Sequence, residues 1–453
     1  MTFRFFKQNR RTTAGRDLIL GRSLWNPKQT VVLPEGERPM HLGILGLSGV
    51  GKTYFLEHLI RQDIDRKTGF VLFDVHGDLA DSILRYLAER SRTDVELVPR
   101  IVLIEPFDPN YSIGFNPLQR SPDASPFLQA QELAHILRTR WETKSFGPRT
   151  EELLRNALYV LSANNLTLLE LQHLLVNQAY RTSLLPKIKE QAVKDYWKNR
   201  YDALSEAMRA VMREPLLTRV SGFLSDPQVR DIVAQPQSTF SFKSAISAGQ
   251  FVIANLSKGR MGEENSPVLG SLLFTKLQLD AMAQANVPES DRPLFTVYAD
   301  ELQNFVGHNF ATLVAEARKY RISITAGHQS WRQLDPEMRN AMLGVGSRIF
   351  FRLHYHDARE LSGELPGVSP QRLLTLSRGE AIFRSTSNMP LPFRVEQHRR
   401  SSATDADLAS LRKAVNQRYA VPRATIHKKI DDRYHALVKA HTSDLLNRPQ
   451  IKS

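Results

Sequence analysis

The sequence predicts an α/β fold: a mostly parallel sheet, an all-α block inserted into it, and a helical, basic C-terminal segment. Three observations carry that prediction. Short apolar runs rich in β-branched and aromatic residues recur along the chain, each passes into a loop or a helical pattern, and the runs vanish over one long internal stretch. Continuous runs of this kind suit strands buried on both faces, and their alternation with helices is the pattern of parallel sheets. With 42% hydrophobic and 24% charged residues, and only 23 Gly and 24 Pro among 453 residues, the chain has the composition of a folded protein.

Taken in order, the strand-like runs are LGILG at 42–46, FVLFD at 70–74, IVLI at 101–104, FVIANL at 251–256, FTVYAD at 295–300, ISITA at 322–326 and IFFRL at 349–353. Over 125–237 helical segments such as TEELLRNALYVLSA and SEAMRAVMREPLLTRVSGFL replace them. Because strand-like runs lie on both sides of this block, it reads as an all-α insertion, with its amphipathic faces serving core packing. The boundaries that follow are 1–37 for a basic N-terminal segment, 38–124 and 238–396 for the core, 125–237 for the insertion and 397–453 for a basic helical appendage, broken at Pro422. No apolar run approaches the ~18 residues of a membrane span, and MTFRFFKQNRR at the N-terminus lacks the apolar centre of a signal peptide. The expectation is a cytoplasmic protein without a membrane span of its own. The absence of Cys excludes disulfides, iron–sulfur clusters and thiolate zinc.

The charge is unevenly placed. Lys and Arg number 61 against 47 Asp and Glu, a net +14; residues 1–30 account for +6 of it and residues 397–453 for +7, leaving +1 for everything between. Two basic ends on a near-neutral body point to an anionic partner such as nucleic acid or a membrane surface.

The first strand-like run ends in GLSGVGKT, followed by the helical YFLEHLIRQDI. This is the phosphate-binding P-loop pattern, in which glycines let the backbone wrap a phosphate and present its N–H groups. Gly46, Ser48, Gly49, Val50, Gly51, Lys52, Thr53 and Tyr54 are therefore candidate nucleotide contacts. Lys52 is expected to reach the β- and γ-phosphates, and Thr53 to offer its hydroxyl to Mg²⁺ beside the positive end of the helix. FTVYADE supplies Asp300 and Glu301 after an apolar run, as a Walker B motif does. Asp300 is placed to hold the Mg²⁺ shell and Glu301 to deprotonate the attacking water. Gln329, just past the next run, is a candidate sensor of the γ-phosphate, since α/β sheets present ligand-contacting residues at their carboxyl ends. Arg318, in AEARKY, and Arg348, before IFFRL, are two candidates for an arginine finger reaching a neighbour's site. Asp74-Val75-His76-Gly77-Asp78 admits two readings, a polar face toward nucleotide or neighbour and a simple Asx turn with a helix cap.

These blocks together resemble the FtsK/HerA superfamily of DNA-pumping P-loop ATPases, and most closely the TraG/TraD-like type IV secretion family of conjugative coupling proteins. The resemblance covers roughly 38–385 and rests on MHLGILGLSGVGKTYFLEHLI, GFVLFDVHGDLADSIL, IGFNPL, FGPRTEELLRNAL, FVIANLSKGRMGEENSPVLGSLL, VYADELQNF, AEARKYRISITAGHQSWRQL and MLGVGSRIFFRL. It implies a RecA-like motor domain with an inserted all-α domain, a hexameric ring with ATP and Mg²⁺ between subunits, and DNA in the central channel. It assigns Lys52 and Thr53 to the nucleotide, Asp300 and Glu301 to Walker B, Gln329 to the sensor and Arg318 to the arginine finger. Some coupling proteins place a second arginine just before the first strand; Met40 stands there, with Arg38 two residues earlier. The implied activity is ATP-driven DNA translocation. Alternatives are a HerA-like motor paired with a nuclease, a protein-secretion ATPase, and a nucleotide-gated scaffold. Implied partners are DNA, further copies of the chain, and a relaxase, nuclease or membrane-anchor protein.

Overall fold

The computed structural model describes residues 16–120, 125–141, 147–306 and 310–446. Thirteen strands occur among them: β1 (Leu18–Ser23), β2 (Thr30–Leu33), β3 (Leu42–Leu45), β4 (Phe70–Asp74), β5 (Ile101–Ile104), β6 (Tyr111–Ile113), β7 (Phe251–Asn255), β8 (Phe295–Asp300), β9 (Ile322–His328), β10 (Ser347–Phe350), β11 (Glu380–Ser385), β12 (Asn388–Val395) and β13 (Ala420–Pro422). Eleven form one sheet in the order β2, β1, β12, β11, β10, β3, β9, β8, β4, β7, β5, while β6 and β13 pair separately. From β10 to β5 every pairing is parallel, and from β10 outward to β2 every pairing is antiparallel.

All seven runs expected as strands are strands of the parallel part. Every residue of β4 and β7 is buried, as strands covered on both faces require. Within the apolar runs the faces still alternate. Phe70 and Leu72 join a core with the helices Lys52–Asp65, Asp78–Ser91 and Asp405–Tyr419, whereas Val71 and Phe73 join a second core with the helix Asn265–Met282.

The four antiparallel strands were not anticipated. β12 carries Pro390 and Pro392, which weigh against a strand in sequence, yet it pairs on both sides, beside a bulge in its partner between Phe383 and Ser385. β1 and β2 bring part of the 1–37 segment into the sheet, so residues 18–33 are not a separate basic arm. Residues 1–15, which hold Arg4, Lys7, Arg10 and Arg11, lie outside the described residues.

Among the described residues between β6 and β7 there are helices and no strand, from Pro126–Arg140 to Phe242–Ala248. Ser125 and Ser205 cap two of these helices by accepting the N–H groups of Leu128 and Met208. The apolar side chains of this block, among them Leu154, Leu158, Leu171 and Trp197, belong to the same core as the sheet face under Asn265–Met282. The block is therefore packed onto the sheet and not merely tethered to it.

The C-terminal segment also packs. Helix Asp405–Tyr419 buries Leu408, Leu411 and Val415, and its Arg412 donates to both carboxylate oxygens of Glu105 at 2.9 and 2.8 Å. After β13, helix Arg423–Leu446 is held by Arg423 and His427 on the fully buried Asp231, and by Arg433 on Glu170. The described part of the segment is thus no projecting tail, and its Arg399, Arg412, Arg423 and Arg433 are paired with carboxylates of the body. Residues 447–453 lie outside the described residues. Among the described residues no helix is long and apolar enough to cross a membrane.

Candidate nucleotide site

The loop between β3 and helix Lys52–Asp65 opens at the carboxyl edge of the sheet, with β9 and then β8 beside it. Gly51 caps the helix at φ 111°, a conformation that a side chain strains, and Gly49 is also left-handed at φ 75°. The Gly46 N–H donates to His328 O at 3.2 Å, and Gly379 N–H donates to Val50 O at 3.0 Å, so β9 and the β11 approach fix both flanks of the loop. Ser48 and Gly49 are exposed at its tip, while Val50 is buried.

Lys52 is buried and folded back, donating to Gly46 O at 2.6 Å and Leu47 O at 2.9 Å. Burial lowers its pKa, opposed by the carboxylates of Asp300 and Glu301. The ammonium therefore sits in a poorly solvated place where an arriving phosphate would be a better partner than two carbonyls. Thr53 Oγ1 donates to Asp300 Oδ2 at 2.9 Å, which brings the hydroxyl and the carboxylate expected of the Mg²⁺ shell together from positions 247 residues apart. An all-oxygen pair of this kind fits that ion's preference for hard ligands. Next to Asp300, a Cβ at Gly327 would stand 3.0 Å from Asp300 Oδ1 and crowd that carboxylate.

Glu301 follows β8 in a left-handed conformation (φ 62°, ψ 57°), unusual for a residue with a long side chain. Its N–H donates to Gly327 O, and its carbonyl accepts from the Asn304 N–H and side-chain amide. The strained turn thus directs a buried carboxylate toward Lys52. Burial raises its pKa, with Asp300 adding to the rise, while Gln303, Lys52 and Gln329 oppose it. A carboxylate whose proton affinity is raised is a better general base. Gln329 stands one residue past β9, against that carboxylate.

The two candidate arginines lie elsewhere. Arg318 is exposed, in the turn before β9. Arg348 is buried in β10 opposite Gly43 of β3, within 3.7 Å of Glu364, and its Nη1 has no hydrogen-bond partner. Neither is among the groups perturbing Lys52 or Glu301 in the same chain. Arg38 is excluded as a finger, because its guanidinium is 2% exposed and grips Asp63 through two bonds of 2.8 and 2.6 Å, with Thr296 Oγ1 at 2.7 Å. Asp74 resolves to the Asx turn and cap: its carboxylate accepts from the N–H groups of His76 and Ala80, both at 2.9 Å.

Three contacts had no sequence signal. The Tyr54 ring stacks on His398 with centroids 4.0 Å apart and planes 9° apart, and its hydroxyl accepts from the His398 N–H at 2.7 Å. Gln303 donates to Glu301, and His328 in turn contacts Gln303.

The strand order, the loop and the paired acidic residues define a RecA-like P-loop fold. Residues 38–258 match the family described as helicase HerA, central domain. That match spans just under half of the chain and agrees with the resemblance to the FtsK/HerA superfamily. Its structure is similar to that of the plasmid coupling protein TrwB in complex with the non-hydrolysable ATP analogue ADPNP, at 18% identity over 83% of this chain and 90% of that one, with a TM-score of 0.60. The same figures hold for TrwB in complex with ADP and Mg²⁺. VirB4 of Thermoanaerobacter pseudethanolicus is similar at 14% identity over 84% of this chain and 96% of that one, with a TM-score of 0.54. No curated protein matches the chain by sequence.

Proposed function

We propose that the protein is an ATP-driven DNA translocase that works as a hexameric ring. The observation that carries the nucleotide chemistry is the convergence of Lys52, Thr53, Asp300 and Glu301 at one sheet edge, joined by the Thr53–Asp300 bond. The resemblance to coupling proteins, with TrwB structures that hold ADP and Mg²⁺ or an ATP analogue, supports the motor reading.

In this mechanism the N–H groups of residues 46–54 wrap the phosphates, and Lys52 leaves the Gly46 and Leu47 carbonyls for the β- and γ-phosphate oxygens. Thr53 and Asp300 are the residues that would hold Mg²⁺, which when bound would neutralise charge on the phosphates. Glu301 takes the proton of the attacking water, and Gln329 senses loss of the γ-phosphate. Arg318, exposed and free to cross an interface, stabilises the transferring phosphoryl group of the neighbouring subunit. Arg348 is the second candidate for that role, and to act it must leave its buried place in β10. DNA is held mainly through its phosphates, so binding weakens steeply with salt.

The test combines Mg·ATP turnover, with and without single- or double-stranded DNA, with the mass of the assembled particle. Glu301→Gln is expected to keep nucleotide binding and lose turnover by at least ~100-fold. Normal turnover in that variant removes the base assignment. Turnover indifferent to both DNA forms favours a protein-secretion motor or a nucleotide-gated scaffold.

A further inference from the structure

Gln303 and His328 lie directly behind Glu301, and neither belongs to the set that binds nucleotide or Mg²⁺. Gln303 Nε2 stands 2.5 Å from Glu301 Oε2, and Gln303 Oε1 stands 2.9 Å from His328 Nδ1. The orientation of the amide is fixed by chemistry. An ionised carboxylate only accepts hydrogen bonds, so the NH₂ group must face Glu301 and the carbonyl must face His328. A carbonyl also only accepts, so Nδ1 must carry the imidazole proton and Nε2 must not. His328 Nε2 is buried without a partner, and the ring is 1% exposed. Burial and the nearby Lys52 charge push its pKa down to about 3, which keeps the ring neutral.

A buried acceptor without a partner is costly, and Leu would fill most of that volume without it. The imidazole's use therefore lies at Nδ1. We propose that His328 and Gln303 are positioning residues that aim the Glu301 carboxylate, His328 orienting the Gln303 amide and the amide orienting the base. The inference rests on Glu301 being the base. Its backbone is already held by Gly327 and Asn304, but those bonds leave the torsions of the Glu301 side chain free. Besides Gln329, the relay is what restrains the carboxylate itself.

The test is steady-state Mg·ATP hydrolysis together with direct binding of a fluorescent ATP analogue in the full chain. Gln303→Leu and His328→Leu are expected to lower kcat roughly 10- to 100-fold, the scale of a lost hydrogen bond to a charged group, with analogue Kd changed less than about 3-fold. His328→Asn, whose amide NH₂ falls near the Nδ1 position, is expected to restore most of the loss. In a Glu301→Gln background, Gln303→Leu is expected to cost nothing more, because the group it aims is gone. If Gln303→Leu turns over like the parent while Glu301→Gln is inactive, the relay is wrong and the base stands. If Glu301→Gln is active, the base assignment falls and the relay with it. Should His328→Leu fail to fold, Gln303→Leu at its half-buried position decides alone.

Discussion

His41 shows how a single buried ring couples the core to pH. Its Nε2 donates to Val314 O at 2.8 Å and its Nδ1 accepts from the Ile324 N–H at 3.1 Å, so only the neutral Nε2–H tautomer satisfies both. Burial, with the Arg318 charge nearby, lowers its pKa to about 4. In the unfolded chain it returns to about 6.5. Below that value the unfolded state binds the proton more readily, so this contribution is complete above pH 6.5 and is lost as pH falls toward 4. The slope is about 1.4 kcal/mol per pH unit inside that window. Between pH 7.5 and 5.5 the loss is therefore about 1 kcal/mol. Gln at position 41 offers one donor and one acceptor without titrating, so His41→Gln should have a flatter pH dependence by that amount. Urea midpoints of both proteins at the two pH values check it, and equal shifts would remove His41 from the account. At this scale the candidate site was largely legible: Lys52, Thr53, Asp300 and Glu301 stand in one continuous pattern each, and the structure brings them together. Gln303, His328 and His398 were not, because a positioning contact has no spacing rule. His398 reaches Tyr54 across 344 residues of chain.

At the scale of elements, legibility follows burial. The parallel strands could be read because both their faces are covered and the apolar run is unbroken. The outer strands β1, β2, β11 and β12 include Arg22, Arg384, Arg394 and two prolines, and their partners are set by tertiary pairing that no local pattern encodes. The C-terminal helices were legible as helices, while the sequence left open whether they pack as an appendage or project as a tail. Read from charge alone, residues 397–453 were a handle for DNA, an acidic partner or a membrane surface. Packed, they supply Leu408, Leu411 and Val415 to the core, each worth about 1.5–3 kcal/mol. They also supply the arginines that neutralise Glu105, Glu170 and Asp231. Deleting 397–453 strips that apolar cover and leaves Asp231, fully buried, with only Arg230 as an ion-pair partner among the described residues. The sum is comparable with the whole stability of a domain, about 5–15 kcal/mol. The deletion is therefore expected to give an aggregating or protease-sensitive protein with little ATP turnover, where a free tail would have spared it. Limited proteolysis and thermal melting of the truncated chain decide between the two, and a sharp parental melting transition would return the segment to a dispensable appendage.

At the scale of the whole molecule, none of the three arginines weighed as a finger is among the groups that act on Lys52 or Glu301 of the same chain. Arg38 is committed to Asp63, Arg348 lies buried along β10, and Arg318 faces outward. An assembly in which Arg318 of one subunit enters the P-loop edge of the next would complete the site, and a head-to-tail contact of that kind closes into a ring when its rotation permits. Such sharing has a consequence that no single-chain mechanism has. A chain with Arg318→Ala retains its own Lys52 and Glu301 but fails its neighbour, while a chain with Glu301→Gln retains Arg318 but cannot turn over. Each variant alone should be nearly inactive, since a finger is worth roughly 10³–10⁵ in rate. Mixed in equal amounts and reassembled at random, about one interface in four should pair the intact base of the first with the intact arginine of the second. Activity should therefore reappear on mixing, to at most about a quarter of the parental rate if interfaces fire independently. Mixing two preparations of the same variant is the control and should recover nothing. If the mixed rings stay inactive although mass measurement shows both chains in one particle, Arg318 acts within its own chain or supports only the fold. The same mixture made with Arg348→Ala then tests whether the buried arginine of β10 is the one that crosses the interface.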